Sequence, residues 1–115
     1  MKNFLQDDEI IEVTAPAGGV TSGDGVLIGN LFGIAFTTEA AGAKVNLQTE
    51  GVFALPKLST DTITQGQRVY WDANEAEVTE TATGNYLIGV AIQAAGNGVV
   101  TVPVRLDGVS TAAAS

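Results

Sequence analysis

Glycine, often beside Asn, Asp or Ser, interrupts this chain so regularly that its longest apolar stretches are Leu31 to Phe36 and Tyr86 to Ile92. A helix needs an apolar stripe repeating every 3.6 residues over several turns, and no segment between these breaks sustains one. Strands fit instead. Ile10 to Thr14 (IIEVT) is rich in β-branched side chains and stops at the breaker cluster Ala15-Pro16-Ala17-Gly18-Gly19. Gly23-Asp24-Gly25 turns into Val26-Leu27-Ile28, and Gly29-Asn30 turns into Leu31 to Thr37, a strand expected to be buried on both faces.

Further along, Lys44 to Thr49 alternates polar and apolar residues at period two, as a half-buried strand does. After Glu50-Gly51 the alternation resumes from Val52 to Lys57, with Pro56 expected to end the pairing. In the connection Leu58 to Gln67 a Ser or Thr is placed to cap a short helical turn. Arg68 to Asp72 and Glu77 to Thr79 flank Ala73-Asn74-Glu75-Ala76 as a hairpin. Tyr86 to Gln93 is expected as a buried strand, and Val99 to Leu106 as one whose Pro103 marks an edge or a bulge. About eight short strands with evenly spaced turns predict an all-β fold, a small barrel or sandwich, with an extended N-terminal arm. The expected organisation is an arm over residues 1–9, a β domain over 10–108 and a flexible tail over 109–115.

The 115 residues suffice for one core, because a chain of this size buries roughly two-thirds of its unfolded surface. With 13 acidic residues against 5 basic, the net charge is −8, which opposes direct contact with nucleic acid. The basic residues, Lys2, Lys44, Lys57, Arg68 and Arg105, are scattered in sequence, although a fold can still gather them. The apolar stretches are too short to span a bilayer, and the acids at Asp7-Asp8-Glu9 stand where a secretory signal would be apolar. There is no cysteine, so no disulfide, thiolate metal site or thiol nucleophile, and there is no histidine.

Motifs that carry chemistry are weak here. Gly23-Asp24-Gly25-Val26-Leu27-Ile28-Gly29 is one residue out of register with a dinucleotide fingerprint and runs into a strand instead of a helix. No glycine precedes a lysine, so there is no phosphate loop. Asp72 to Glu77 has the carboxylates of a calcium loop, but Glu77 occupies the position where the sharp turn needs glycine. An acid–base pair of carboxylates would need aromatic walls, and only Tyr70, Trp71 and Tyr86 are available for that. Consecutive Tyr70 and Trp71 point to opposite faces of their strand, one inward and one towards a surface or subunit contact. No cofactor or metal is expected.

Thr14-Ala15-Pro16, Ser22 to Val26, Gly29 to Ala35, Gly51 to Lys57 and Gly66 to Asp72, in that order, resemble a family of tailed-phage capsid cement proteins. The resemblance runs from about Phe4 to Leu106 and implies a small β-rich head-decoration subunit on the outer surface of the capsid. Its implied partner is the major capsid protein, and the symmetry axes of a shell favour a homo-oligomer, most often a trimer. For capsid or subunit contacts the candidates are Phe4, Leu5 and Gln6 in the arm, then Phe53, Leu55 and Pro56, and Trp71. The alternative is a non-catalytic module binding glycans or a host receptor, with Trp71 or Tyr86 as the stacking platform. An enzyme ranks third.

Overall fold

The computed structural model describes residues 10–107 and Thr111. Among these are nine strands and no helix: β1 (Ile10–Thr14), β2 (Gly25–Ile28), β3 (Leu31–Ala35), β4 (Lys44–Gln48), β5 (Glu50–Pro56), β6 (Arg68–Asp72), β7 (Glu77–Thr79), β8 (Tyr86–Ala91) and β9 (Thr101–Asp107). Two antiparallel sheets result, a four-stranded one ordered β1-β4-β3-β2 and a five-stranded one ordered β5-β9-β8-β6-β7. The expected all-β class is what forms, as two packed sheets and not one closed barrel.

The turns follow from their residues. Ile28 pairs with Leu31, leaving Gly29-Asn30 as a two-residue loop with Gly29 at φ 58°, the sign that the first position of a II′ hairpin turn requires. Asp72 pairs with Glu77, and the Asp72 Oδ1 carboxylate oxygen accepts hydrogen bonds from the Asn74 and Glu75 N–H groups at 3.0 and 3.2 Å. This local acceptor closes the expected hairpin over Ala73 to Ala76.

β3 is buried on both faces but ends at Ala35, before the exposed Phe36 and Thr37 of the expected strand, and it divides the interior. On one side Phe32 and Ile34 join Leu55, Val69, Trp71, Val102, Val104 and Leu106 in the larger core. On the other, Ala35 joins Ala15, Val20, Val26, Val45 and Leu47 in a smaller one. The sheets are thus joined through a strand that serves both cores.

Several local expectations are corrected. No helical turn forms between Leu58 and Gln67: the segment is held extended by an antiparallel bridge between Ile63 and Ala95, with a tight turn from Leu58 to Asp61. The β5–β9 register does end at the Pro56–Thr101 pair, and one backbone bond follows it, the Lys57 N–H donating to Val100 O at 2.8 Å. β5 lies at a sheet edge, where a missing N–H is tolerated.

Pro103 lies inside the sheet, since β9 runs between β5 and β8. The Ile92 N–H donates to Pro103 O at 3.0 Å, and proline has no N–H to return. Ile92 O instead accepts from Gln65 Nε2 at 3.3 Å. β8 is not buried on both faces either: Leu87 is 41% exposed while Ile88 and Ala91 are interior. The register passes from Val69 opposite Gly89 to Tyr70 opposite Leu87, so Ile88 is the extra residue of a β-bulge.

Candidate docking surface

Phe4, Leu5 and Gln6 lie outside the described residues. Phe53 and Leu55 share one face of β5, and that face is the interior: Leu55 is 1% exposed and Phe53 is half-buried against the larger core. Trp71 belongs to the same core at 3% exposure, its ring centroid 5.0 Å from that of Phe32. A Cβ on Gly25 would come within 2.8 Å of Trp71 Cη2, so only glycine leaves room for the indole there. Three candidates are therefore gathered around one interior, where their apolar area stabilises the chain itself. Pro56 points the other way and is exposed at the β5 edge. Tyr70 is half-buried on the outward side of β6, as the alternation requires. Thr111, inside the expected tail, is buried, and its N–H donates to Asn30 O at 2.8 Å.

The outward face of the five-stranded sheet has an organisation that the sequence did not display. Val69, Trp71, Val102, Val104 and Leu106 point inward, so period two sends Arg68, Tyr70, Pro103 and Arg105 outward. Arg68 pairs with Val90, Val90 with Arg105, and Arg105 with Val52. One cross-strand row therefore reads Arg68, Val90, Arg105, Val52, and it contains both arginines of the chain. Neither guanidinium has an ion-pair or hydrogen-bond partner among the described residues. Val52 is 53% exposed.

On one side of this row lies an apolar band. Ala54 is opposite Pro103, Pro56 is at the edge, and Ile92 is hydrogen-bonded beside Pro103. Val99, just before β9 and 44% exposed, has the same parity as Pro103 and continues the band. On the other side the face turns acidic, with Glu50 opposite Asp107 and Asp72 opposite Glu77. The sequence signal available was the alternation within each strand. What placed the arginines in one row is the order and register of β6, β8 and β9, which alternation does not encode.

Beneath the apolar end is a buried polar knot. Lys57 is 3% exposed, and its Nζ donates to the carbonyls of Leu58, Gly96 and Val99 at 2.7, 3.2 and 3.0 Å. Asp61, also buried, accepts from Thr79 Oγ1 at 2.7 Å and from the Glu80 N–H at 2.8 Å. These bonds tie the 57–67 connection to β7 and to the loop before β9, and so hold Val99 and Val100 in place. Both charges are committed to backbone and hydroxyl partners. Glu77 has its pKa raised above the ordinary carboxylate value by desolvation, and the neighbouring Glu75, Asp72 and Asp61 add to the effect, with Lys57 opposing.

Among the described residues no group of three or more acidic side chains is placed to hold a metal ion, and no helix is long and apolar enough to cross a membrane. The cleft beside Trp71, about 180 Å³, is walled by Pro16, Val20, Asp24 and Leu27 and offers a single carboxylate. What the described residues do provide is a broad surface with ordered charge.

No curated protein and no solved structure matches the chain. The family profile described as phage cement protein matches residues 5–106, a span that takes in both sheets and the outward arginine row. With that coverage, the chain belongs to the phage cement proteins, structural components of the virion capsid that stabilise its shell.

Proposed function

We propose that this protein binds the outer surface of the expanded head through the major capsid protein, as a homo-oligomer with a trimer favoured, and stabilises the shell without catalysing a reaction. The match to the cement family over residues 5–106 is the observation that carries the reading. A subunit that binds only the expanded lattice shifts the equilibrium towards it by mass action, contributing about 2.7 kcal/mol per site at a free concentration 100-fold above Kd. Many weak sites repeated over a shell then add to a large resistance against internal pressure. In this reading Phe4, Leu5 and Gln6 form an apolar arm that reaches a neighbouring chain, and Pro56 contributes at the sheet edge.

The glycan-binding alternative finds less support, because the Trp71 ring is enclosed in the core and Tyr86 packs against that same core. The direct experiment mixes the full chain with undecorated heads before and after expansion. Saturable binding to expanded heads alone, with a rise in their disruption temperature, is the expected result. Binding to neither form would overturn the proposal. Deleting Met1 to Gln6 should weaken binding while leaving thermal unfolding of the subunit nearly unchanged, and undiminished saturation by the truncated chain would remove the arm from the reading.

A further inference from the structure

Resting on that reading, we infer that the outward face of the five-stranded sheet is the surface that meets the shell, and that its counterpart is an acidic patch bordered by apolar side chains. A chain of net charge −8 repels an acidic partner over most of its surface. The Arg68-Val90-Arg105-Val52 row is a place where that repulsion is locally reversed by two cations together. Two guanidiniums without partners among the described residues, on strands of one sheet, offer preorganised bidentate donors for carboxylates.

The flanking bands fix how such a partner sits. Apolar side chains of the shell cover Ala54, Pro56, Pro103 and Ile92, together with the exposed Val99, and lose water there. The acidic end at Glu50, Asp107, Asp72 and Glu77 repels the same carboxylates, so the reversed orientation is disfavoured. Contact area in the apolar band supplies affinity, while the arginine row sets encounter rate and register. The knot at Lys57 contributes by keeping Val99 presented.

The test compares two substitutions that change net charge equally. Arg105→Glu reverses a charge in the row, whereas Lys44→Glu does so on β4 of the other sheet, where Lys44 Nζ donates to Thr14 Oγ1 at 3.3 Å. Binding to expanded heads is measured over a range of salt concentrations, with thermal unfolding and sedimentation of each variant alongside. The expected result is at least about a tenfold weaker Kd for Arg105→Glu with a shallower salt dependence, and near-native binding for Lys44→Glu. Equal weakening by both would reduce the effect to net charge and overturn the inference. A change of oligomeric state by Arg105→Glu with head binding intact would also overturn it, assigning the face to a second copy of this chain.

Should Arg105→Glu fail to fold, Arg68→Glu on β6 is judged by the same criteria. Failure of the unaltered chain to bind heads at all would defeat the function itself, and this inference with it. Native binding by both arginine variants would defeat only the inference.

Discussion

Behind the five-stranded sheet, the rings of Phe32 and Trp71 meet amid Leu55, Val69, Val102, Val104 and Leu106, all nearly excluded from solvent. Behind the four-stranded sheet the enclosed side chains are smaller, with Leu47 and Val45 the largest that are fully buried. Its rim residues Ile11, Val13, Ile28 and Leu31 are only partly covered. An aromatic side chain buries 150–250 Å² by itself, so the two interiors differ greatly in the apolar area that each removes from water. The difference assigns roles: the five-stranded sheet anchors the subunit and presents the banded face, and the four-stranded sheet depends on β3, whose far side lies in the stronger core.

The largest expected effect would break this comparison if it failed. Trp71→Ala should cost about 3–5 kcal/mol in denaturant unfolding, because it removes the largest side chain of the larger core. Val45→Ala, in the smaller core, should cost about 2 kcal/mol. Amide exchange provides a second measure: protons in β8 and β9 should exchange only through global unfolding, those of the edge strands β1 and β2 through cheaper local opening. Equal losses and equal protection would show that the sheets hold the chain together alike.

The junction between the sheets sharpens the comparison. β4 ends at Gln48 and β5 begins at Glu50, and the chain changes sheets through Gly51, which adopts φ 126°. A Cβ there would lie 3.2 Å from Gln48 Nε2 and 3.3 Å from Phe53 Cε2. Gly51→Val should therefore cost about 1–3 kcal/mol, and Gly51→Ala most of the same, since the strain is in the backbone. A melting temperature unchanged by either would mean that the chain passes between the sheets without needing glycine.

The same junction illustrates what could be read from the sequence. Local patterns were legible: alternation gave the Lys44 and Val52 strands, and Gly29-Asn30 gave a turn between two strands. Properties that depend on a distant partner were not. Lys57 looks like one more scattered surface cation, yet three carbonyls from two separate segments enclose its ammonium. Pro103 signals an edge by rule, and an interior strand tolerates it because Gln65, far away in sequence, supplies the donor that proline lacks. Of the contact candidates, Phe53 and Leu55 share one face of β5 by alternation, but alternation does not say whether that face looks inward. The arginine row needed the strand order as well.

The smallest expected effect concerns a weak point within the stronger sheet. β7 is an edge strand of three residues, and Glu77 at its start is desolvated and faces Glu75, Asp72 and Asp61, which raises its pKa above the ordinary 4.5. Between 4.5 and that raised value the folded chain holds this proton more tightly than the unfolded chain does, so stability falls as pH rises through the window and stays lower above it. Glu77→Gln removes the charge that the hairpin disfavours. It should raise the melting temperature at pH 7 slightly, by an amount equivalent to no more than about 0.5 kcal/mol because the side chain is partly exposed to water and salt. The gain should disappear below pH 4.5, where the native side chain is itself protonated. A stabilisation that persisted at low pH would point to packing or hydrogen bonding as its origin, and a loss of stability at pH 7 would show that the carboxylate helps to hold the β6–β7 hairpin against the rest of the sheet.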